Sequence, residues 1–143
     1  MKTYVALDPG KMTGIARAHV SHIIKHDAFE LPEDVAVDWM WDNLYNVTVI
    51  CESIVISIAT AKKSQDVQSS IRQIGVADHL CRRRGLPFAL QPPSDKAFGT
   101  DELLRALAWW TVGSDHARDA SRHLAKFMAE DDPEFRQLAV EIV

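Results

Sequence analysis

The stretch Tyr4-Val5-Ala6-Leu7-Asp8-Pro9-Gly10-Lys11-Met12-Thr13-Gly14-Ile15-Ala16-Arg17-Ala18 sets the fold. Val5 and Leu7 alternate with Tyr4 and Ala6, a pattern compatible with a largely buried strand, while Pro9 and Gly10 break it and Gly14 permits a second strand to return. Asp8 therefore stands where an apolar strand runs into a tight turn, which holds a carboxylate rigidly at a sheet's end. Such an acid either opens an Asp-Pro-Gly turn or serves as a candidate metal ligand. This segment alone fits both.

Outward from this hairpin, three strands at about 3–8, 13–20 and 22–31 are joined by links short enough to require antiparallel pairing. Pro32, Glu33 and Asp34 open a helix that runs to about Asn46, since proline and acids suit a first turn. A strand follows at 47–52. Residues 64–84 carry Val67, Ile71, Ile74, Ala77, Leu80 and Cys81 at helical spacing, and Gly85 supplies the stop. Another strand is predicted at 86–90, then helices through 95–110, about 114–130, and after Pro133. Strand-helix-strand connections demand a crossover and parallel pairing. The prediction is an α/β protein with a mixed five-stranded sheet, three antiparallel strands and then parallel ones, flanked by helices. That is the order of an RNase H-like fold. At 143 residues without a linker-like or low-complexity stretch, the chain is expected to be one domain, 1–143.

A hydrophobic content of 47% and a charged content of 25% are ordinary for a soluble protein, and no apolar run approaches the roughly 20 residues of a membrane span. The amino terminus enters a strand at once, without the succession of a secretory signal. Cys51, within an apolar strand, and Cys81, on a helix, lack metal-type spacing and are expected to be free thiols. A reducing cytoplasm, of a bacterial or phage-infected host cell, is the expected setting. Net charge of −4 argues mildly against a protein that coats nucleic acid. The basic residues nevertheless gather, at Lys62-Lys63, Arg72, Arg82-Arg83-Arg84, Arg118 and Arg122, and acids concentrate at 27–42 and 130–134.

Glu52 repeats the logic of Asp8, ending the apolar run Val47-Thr48-Val49-Ile50-Cys51. If the first and fourth strands are parallel neighbours, their ends lie about 5 Å apart, and like charges that close repel unless a cation intervenes. All-oxygen ligands favour magnesium or manganese. The third element is Gly113-Ser114-Asp115-His116-Ala117-Arg118-Asp119-Ala120. Ser114 suits a helix cap. Counting about 100° per residue from His116, Ala117, Ala120, Leu124, Phe127 and Met128 form an apolar stripe near 70°; Asp119 falls at about 300° and Asp115 near 260°. His116 and Asp119 are the better pair to face a site, with Asp115 more exposed and a substitute for His116.

Together these elements resemble a RuvC-like Holliday junction resolvase of the compact phage type, over nearly the whole chain. The resemblance rests on Ala6-Leu7-Asp8-Pro9-Gly10 with Thr13-Gly14, on Val49-Ile50-Cys51-Glu52, and on His116-Ala117-Arg118-Asp119-Ala120. It implies Asp8, Glu52, His116 and Asp119 as the metal-binding and catalytic set, with two Mg2+ or Mn2+ ions per site. Gln91-Pro92-Pro93-Ser94-Asp95-Lys96-Ala97-Phe98-Gly99 resembles the segment in which RuvC proteins carry a lysine before a glycine, so Lys96 is implied to contact the cleaved phosphate. The family's second lysine is missing, because Thr100-Asp101-Glu102 follow, which leaves its role empty or taken by Arg105.

Lys11, Thr13, Lys62, Lys63, Lys96 and Arg118 are the candidate DNA contacts. An apolar residue among 54–58 is a candidate to enter the junction. A homodimer is expected, through the helix 64–84 and the apolar loop 53–61, since a two-fold pair supplies matched sites for two strands. Other readings are a broader flap or fork debranching nuclease, a YqgF-like RNA-processing nuclease, and a non-catalytic DNA-binding module. Sugar kinases and actin-like ATPases share the Asp-x-Gly-x-x-Thr-Gly turn, but they need two such domains around a nucleotide.

Overall fold

The structure, a computed structural model, describes residues 1–54 and 65–143. Strands β1 (Lys2–Asp8), β2 (Met12–Val20), β3 (Ile24–Pro32), β4 (Thr48–Glu52) and β5 (Phe88–Gln91) form one sheet in the order β3-β2-β1-β4-β5. β1 and β3 each pair antiparallel with β2, whereas β4 pairs parallel with β1 and with β5. This is the mixed sheet expected from the sequence.

Alternation along each strand divides the apolar side chains between two faces. Val5, Leu7, Ile15, Val49 and Cys51 pack on one side against Met40 of α1 (Glu33–Asn43) and against Ala77, Leu80 and Cys81 of α2 (Gln65–Arg84). Tyr4, Ala6, Ala16, Ala18 and Ile50 face the other side. There they meet α3 (Asp101–Ala106), α4 (Asp115–Asp131) and α5 (Pro133–Glu141), through Leu104, Leu124, Met128 and Phe135. Alanines on both surfaces let α4 lie close to the sheet. Cys51 and Cys81 are buried free thiols, and burial raises the pKa of both.

Three details differ from the sequence reading. α1 stops at Asn43, because Leu44 leaves helical geometry at ψ 77°, and Asn46 follows with a left-handed φ of 54°. β5 spans Phe88–Gln91, starting later than expected and adding Gln91. The helix expected over 95–110 is broken into a 3-10 turn, Pro93–Phe98, and α3, with Gly99 between them.

α4 is fixed at both ends. Ser114 Oγ accepts from the Ala117 amide at 3.3 Å, Glu30 of β3 accepts from the His116 amide at 3.0 Å, and Tyr4 donates to Asp131 at 2.7 Å. Gly14 of β2 lies beneath the helix start, where an added Cβ would stand 1.9 Å from the His116 carbonyl oxygen. Gly99 does the same one turn beyond Asp119, with Arg122 Cα 2.6 Å from the position of a Cβ.

His26 of β3 stacks on Trp109 at 4.5 Å, and its Nε2 lies 2.9 Å from Ser121 Oγ on α4. Burial pushes this imidazole down to about 4. An unfolded histidine titrates near 6.5, so as pH falls the unfolded chain takes up the proton first, and stability is lost between about pH 6.5 and pH 4. From pH 7 to pH 5 the loss is about 2 kcal/mol. His26→Phe retains the stacking without the titration, and its urea unfolding free energy should fall by that much less over the same interval. Equal falls in the two proteins would refute a buried neutral imidazole.

Candidate active site

Sheet register assembles the site. The pairing that sets Leu7 opposite Cys51 carries Asp8 and Glu52 to neighbouring strand ends, and Glu52 stands opposite Gln91. Asp8, Glu52 and Gln91 have the same parity as Ala6, Ile50 and Ala89, so all three project toward α4. Across these strand ends lies one face of α4, carrying His116, Asp119 and His123 at helical spacing. His116 Nδ1 is 3.3 Å from Asp8 Oδ2, and His123 Nε2 is 3.3 Å from Glu52 Oε2. Lys96, presented by the 3-10 turn, places Nζ 3.4 Å from Glu52 Oε1 and 3.5 Å from Asp119 Oδ2. Arg122 Nε lies 3.4 Å from Asp119 Oδ1, and its guanidinium also donates to the Gly99 carbonyl and to Asp101. The open side is a cleft of ≈ 460 Å³ lined by Asp8, Glu52, Lys96, His116 and Asp119, together with Lys11 and Asp66.

The electrostatics are those of acids crowded together. Burial and the adjoining Glu52 carboxylate push Asp8 well above the usual carboxylate range. Burial also works to raise Glu52, but His123, Asp8 and the Lys96 ammonium together outweigh it and hold Glu52 low, at about 2. Partial burial pulls Lys96 down, yet the carboxylates of Glu52, Asp119 and Asp8 keep its ammonium above the ordinary lysine value. Lys96 thus carries a full positive charge between two acids.

The fold brings together Asp8, Glu52, Lys96, His116 and Asp119, five residues singled out in the sequence. Asp115 points away, 87% exposed and paired with Arg118, so His116 is the one that faces the cleft. Lys11 lines the cleft. Thr13 does not; it is fully buried, with its hydroxyl donating to the Gln73 amide oxygen and lying 3.1 Å from the Gly10 carbonyl, to which the Gln73 amide nitrogen donates, which fastens α2 to the turn after Asp8. Arg118 is likewise committed to protein partners, to the exposed Asp115, to the Thr111 carbonyl at 2.7 Å and over the Trp110 ring. Arg105 packs on the other contact of that ring, 4.0 Å from its centroid, and the second cation near the acids is Arg122. Lys62, Lys63 and residues 55–58 lie outside the described residues, while Ile54 borders the site. His123, Gln91 and Arg122 were not anticipated as members of the site. Helix periodicity was the available signal for His123, seven residues after His116.

Three carboxylates and an imidazole at one cleft are a donor set for a hard divalent cation. Among the described residues no three acidic, histidine or cysteine side chains stand in a coordinating arrangement as they lie. The Lys96 ammonium holds the place of a cation between Glu52 and Asp119. The carboxylate pair at Asp8 and Glu52, unfavourable unless protonated or neutralised, fits a metal in its stead.

No family model matches the chain, and no curated protein matches it by sequence. Solved structures do. Thermus thermophilus RuvC in complex with a Holliday junction substrate superposes with a TM-score of 0.64 at 10% identity, covering 92% of this chain and 97% of that one. A second Thermus thermophilus RuvC structure gives 0.61 at 12% identity, covering 90% and 96%. The fold is therefore RuvC-like, within the RNase H-like class. No helix among the described residues is long and apolar enough to cross a membrane.

Proposed function

We propose that the protein is a divalent-metal-dependent endonuclease that cleaves four-way DNA junctions, and other branched DNA, by phosphodiester hydrolysis. The observation that carries this reading is the convergence of Asp8, Glu52, His116 and Asp119 on one cleft with Lys96 among them. A fold shared with a RuvC captured on a Holliday junction supports the choice of substrate.

Asp8, Glu52, Asp119 and His116 would hold Mg2+ or Mn2+. Bound there, such ions supply an activated water and relieve charge on the phosphate and leaving oxygen. Asp8 is fixed by its strand end and by the turn that Thr13, Gln73 and Ser70 fasten to α2. Lys96, released from Glu52 and Asp119, is within the same cleft to stabilise developing phosphate charge. Arg122 keeps Asp119 oriented while Lys96 moves. Lys11, exposed beside the site, offers a backbone phosphate contact. Incubation with Mg2+ and labelled four-way, flap, Y-shaped and linear DNAs tests the reading. Symmetric nicks in the four-way species are expected; equal cutting of every branched form would favour a debranching role, and no cutting in either Mg2+ or Mn2+ would overturn the proposal.

Symmetric incision calls for a two-fold dimer, and the outer face of α2 suits one. Ile71 is 48% exposed there, and Gly75, four residues on, has open space beside it. A mid-helix glycine costs about 1 kcal/mol against alanine, a cost that close approach of a second helix offsets. Ile71→Asp should convert a dimer to a monomer in sedimentation and abolish paired incision, with the far-ultraviolet spectrum unchanged. A variant that remains dimeric would move the interface elsewhere.

A further inference from the structure

Beneath the cleft lies a histidine that the hydrolysis does not use. His123 is fully buried on α4, its Nδ1 2.7 Å from the Gln91 amide oxygen and its Nε2 facing Glu52 Oε2. That Nε2 and that Oε2 are buried, 3.3 Å apart, and without a hydrogen-bond partner among the described residues. Buried polar atoms left in this state are rare and carry a penalty. With Nδ1–H donating to the amide oxygen, a neutral ring would turn a bare lone pair toward a carboxylate. Half a turn of the Gln91 amide about its last torsion removes the conflict. Its –NH2 then donates to Nδ1, the ring proton sits on Nε2, and Nε2–H donates to Glu52 Oε2. A small tilt that straightens the 3.3 Å contact then pairs both buried atoms, and no charge is added.

This arrangement leaves the two oxygens of Glu52 unequal. Oε2 is held in the interior, and Oε1 faces Lys96. We propose that His123, oriented by Gln91, is a positioning residue that locks Glu52 Oε2 and leaves Oε1 as the single oxygen offered to a cation. The inference rests on the reading of Glu52 as a metal ligand. A ligand pinned in this way loses little freedom on binding, and partners of this kind affect metal affinity by about 10- to 100-fold.

The test is titration of the purified full chain with Mn2+, without DNA, following the free ion by electron paramagnetic resonance. His123→Leu should weaken binding by about 10- to 100-fold, and His123→Gln, whose amide can donate to the carboxylate, should restore the larger part. In junction cleavage the Mg2+ concentration for half-maximal rate should rise by the same factor in His123→Leu, with the rate at saturating metal within about threefold of wild type. Wild-type Mn2+ affinity in a folded His123→Leu protein would overturn the inference. If that variant does not fold, Gln91→Leu takes its place: about a threefold weakening or more is expected, and unchanged affinity overturns the inference. Because Mn2+ binding is read without DNA, the two proposals separate. Weakened binding in His123→Leu, with no DNA cut by the wild type, refutes the nuclease and supports the lock. A wild-type protein that binds no Mn2+ overturns both.

Discussion

Asp8→Asn is expected to lower junction cleavage by about a thousandfold or more, roughly 4 kcal/mol of transition-state stabilisation, without loss of folding stability. The two halves of that expectation have one cause. Asp8 is buried beside Glu52, and in the absence of metal those surroundings favour its protonated form at neutral pH. Asparagine is close to the shape of a neutral acid but is a poor ligand for a cation. The folded-state pKa lies above the unfolded value, so the native state retains a proton that the unfolded chain releases. Its contribution to stability is present below the unfolded pKa and is lost as pH rises through neutrality, by up to about 1.4 kcal/mol per pH unit. In a chelating buffer, wild type should therefore lose thermal stability from pH 6 to pH 8, and Asp8→Asn should lose less. Cleavage gels and calorimetry at the two pH values check both halves. An active Asp8→Asn protein would remove Asp8 from the ligand set, and a variant less stable than wild type at pH 8 would contradict the protonated acid.

Gly14→Ala should damage the protein by a different route, through stability first and cleavage second. A methyl group there would lie 1.9 Å from the His116 carbonyl oxygen and 2.3 Å from its carbon, both backbone atoms of a helix pinned by Glu30 and Ser114. No rotamer change relieves the overlap, so α4 must lift from β2. We expect a loss of about 3 kcal/mol, read as a fall of about 10 °C in the melting midpoint. Cleavage should drop more than tenfold under conditions where the variant is fully folded, because His116 and Asp119 move together relative to Asp8. A melting midpoint within about 2 °C of wild type would show that the helix can shift at little cost.

Much of this site can be read from strand parity. Asp8 and Glu52 each end an apolar run, and parallel pairing of those runs makes them neighbours whatever packs above. The helical wheel separated His116 and Asp119 from Asp115, and exposure follows the same division: Asp115 is 87% exposed, Asp119 only 32%. The same wheel sets His123 at about 340°, between His116 and Asp119. Its meaning depends on Gln91, which enters the site only because β5 extends one residue further than its apolar run. Thr13 and Arg118, two of the candidate DNA contacts, are turned toward protein partners instead. Gln73, 60 residues along the chain, takes the Thr13 hydroxyl's hydrogen bond and leaves no trace in the local sequence, whereas Arg118 pairs with Asp115 three residues before it and lies over the Trp110 ring. Lys96 was readable as a cation near the acids, but its seat between Glu52 and Asp119 depends on the 3-10 turn and on Gly99.

Gly14 and Gly99 hold α4 by what they lack. One leaves room for the backbone at His116 and the other for the backbone at Arg122, three residues to either side of Asp119. The height of the helix above the sheet is thus dictated from β2 and from the turn after Lys96, not by the side chains that α4 displays to solvent. Substitutions at those outward positions leave the height of the helix untouched, and the spacing between Asp8 and Asp119 answers to two glycines on other elements.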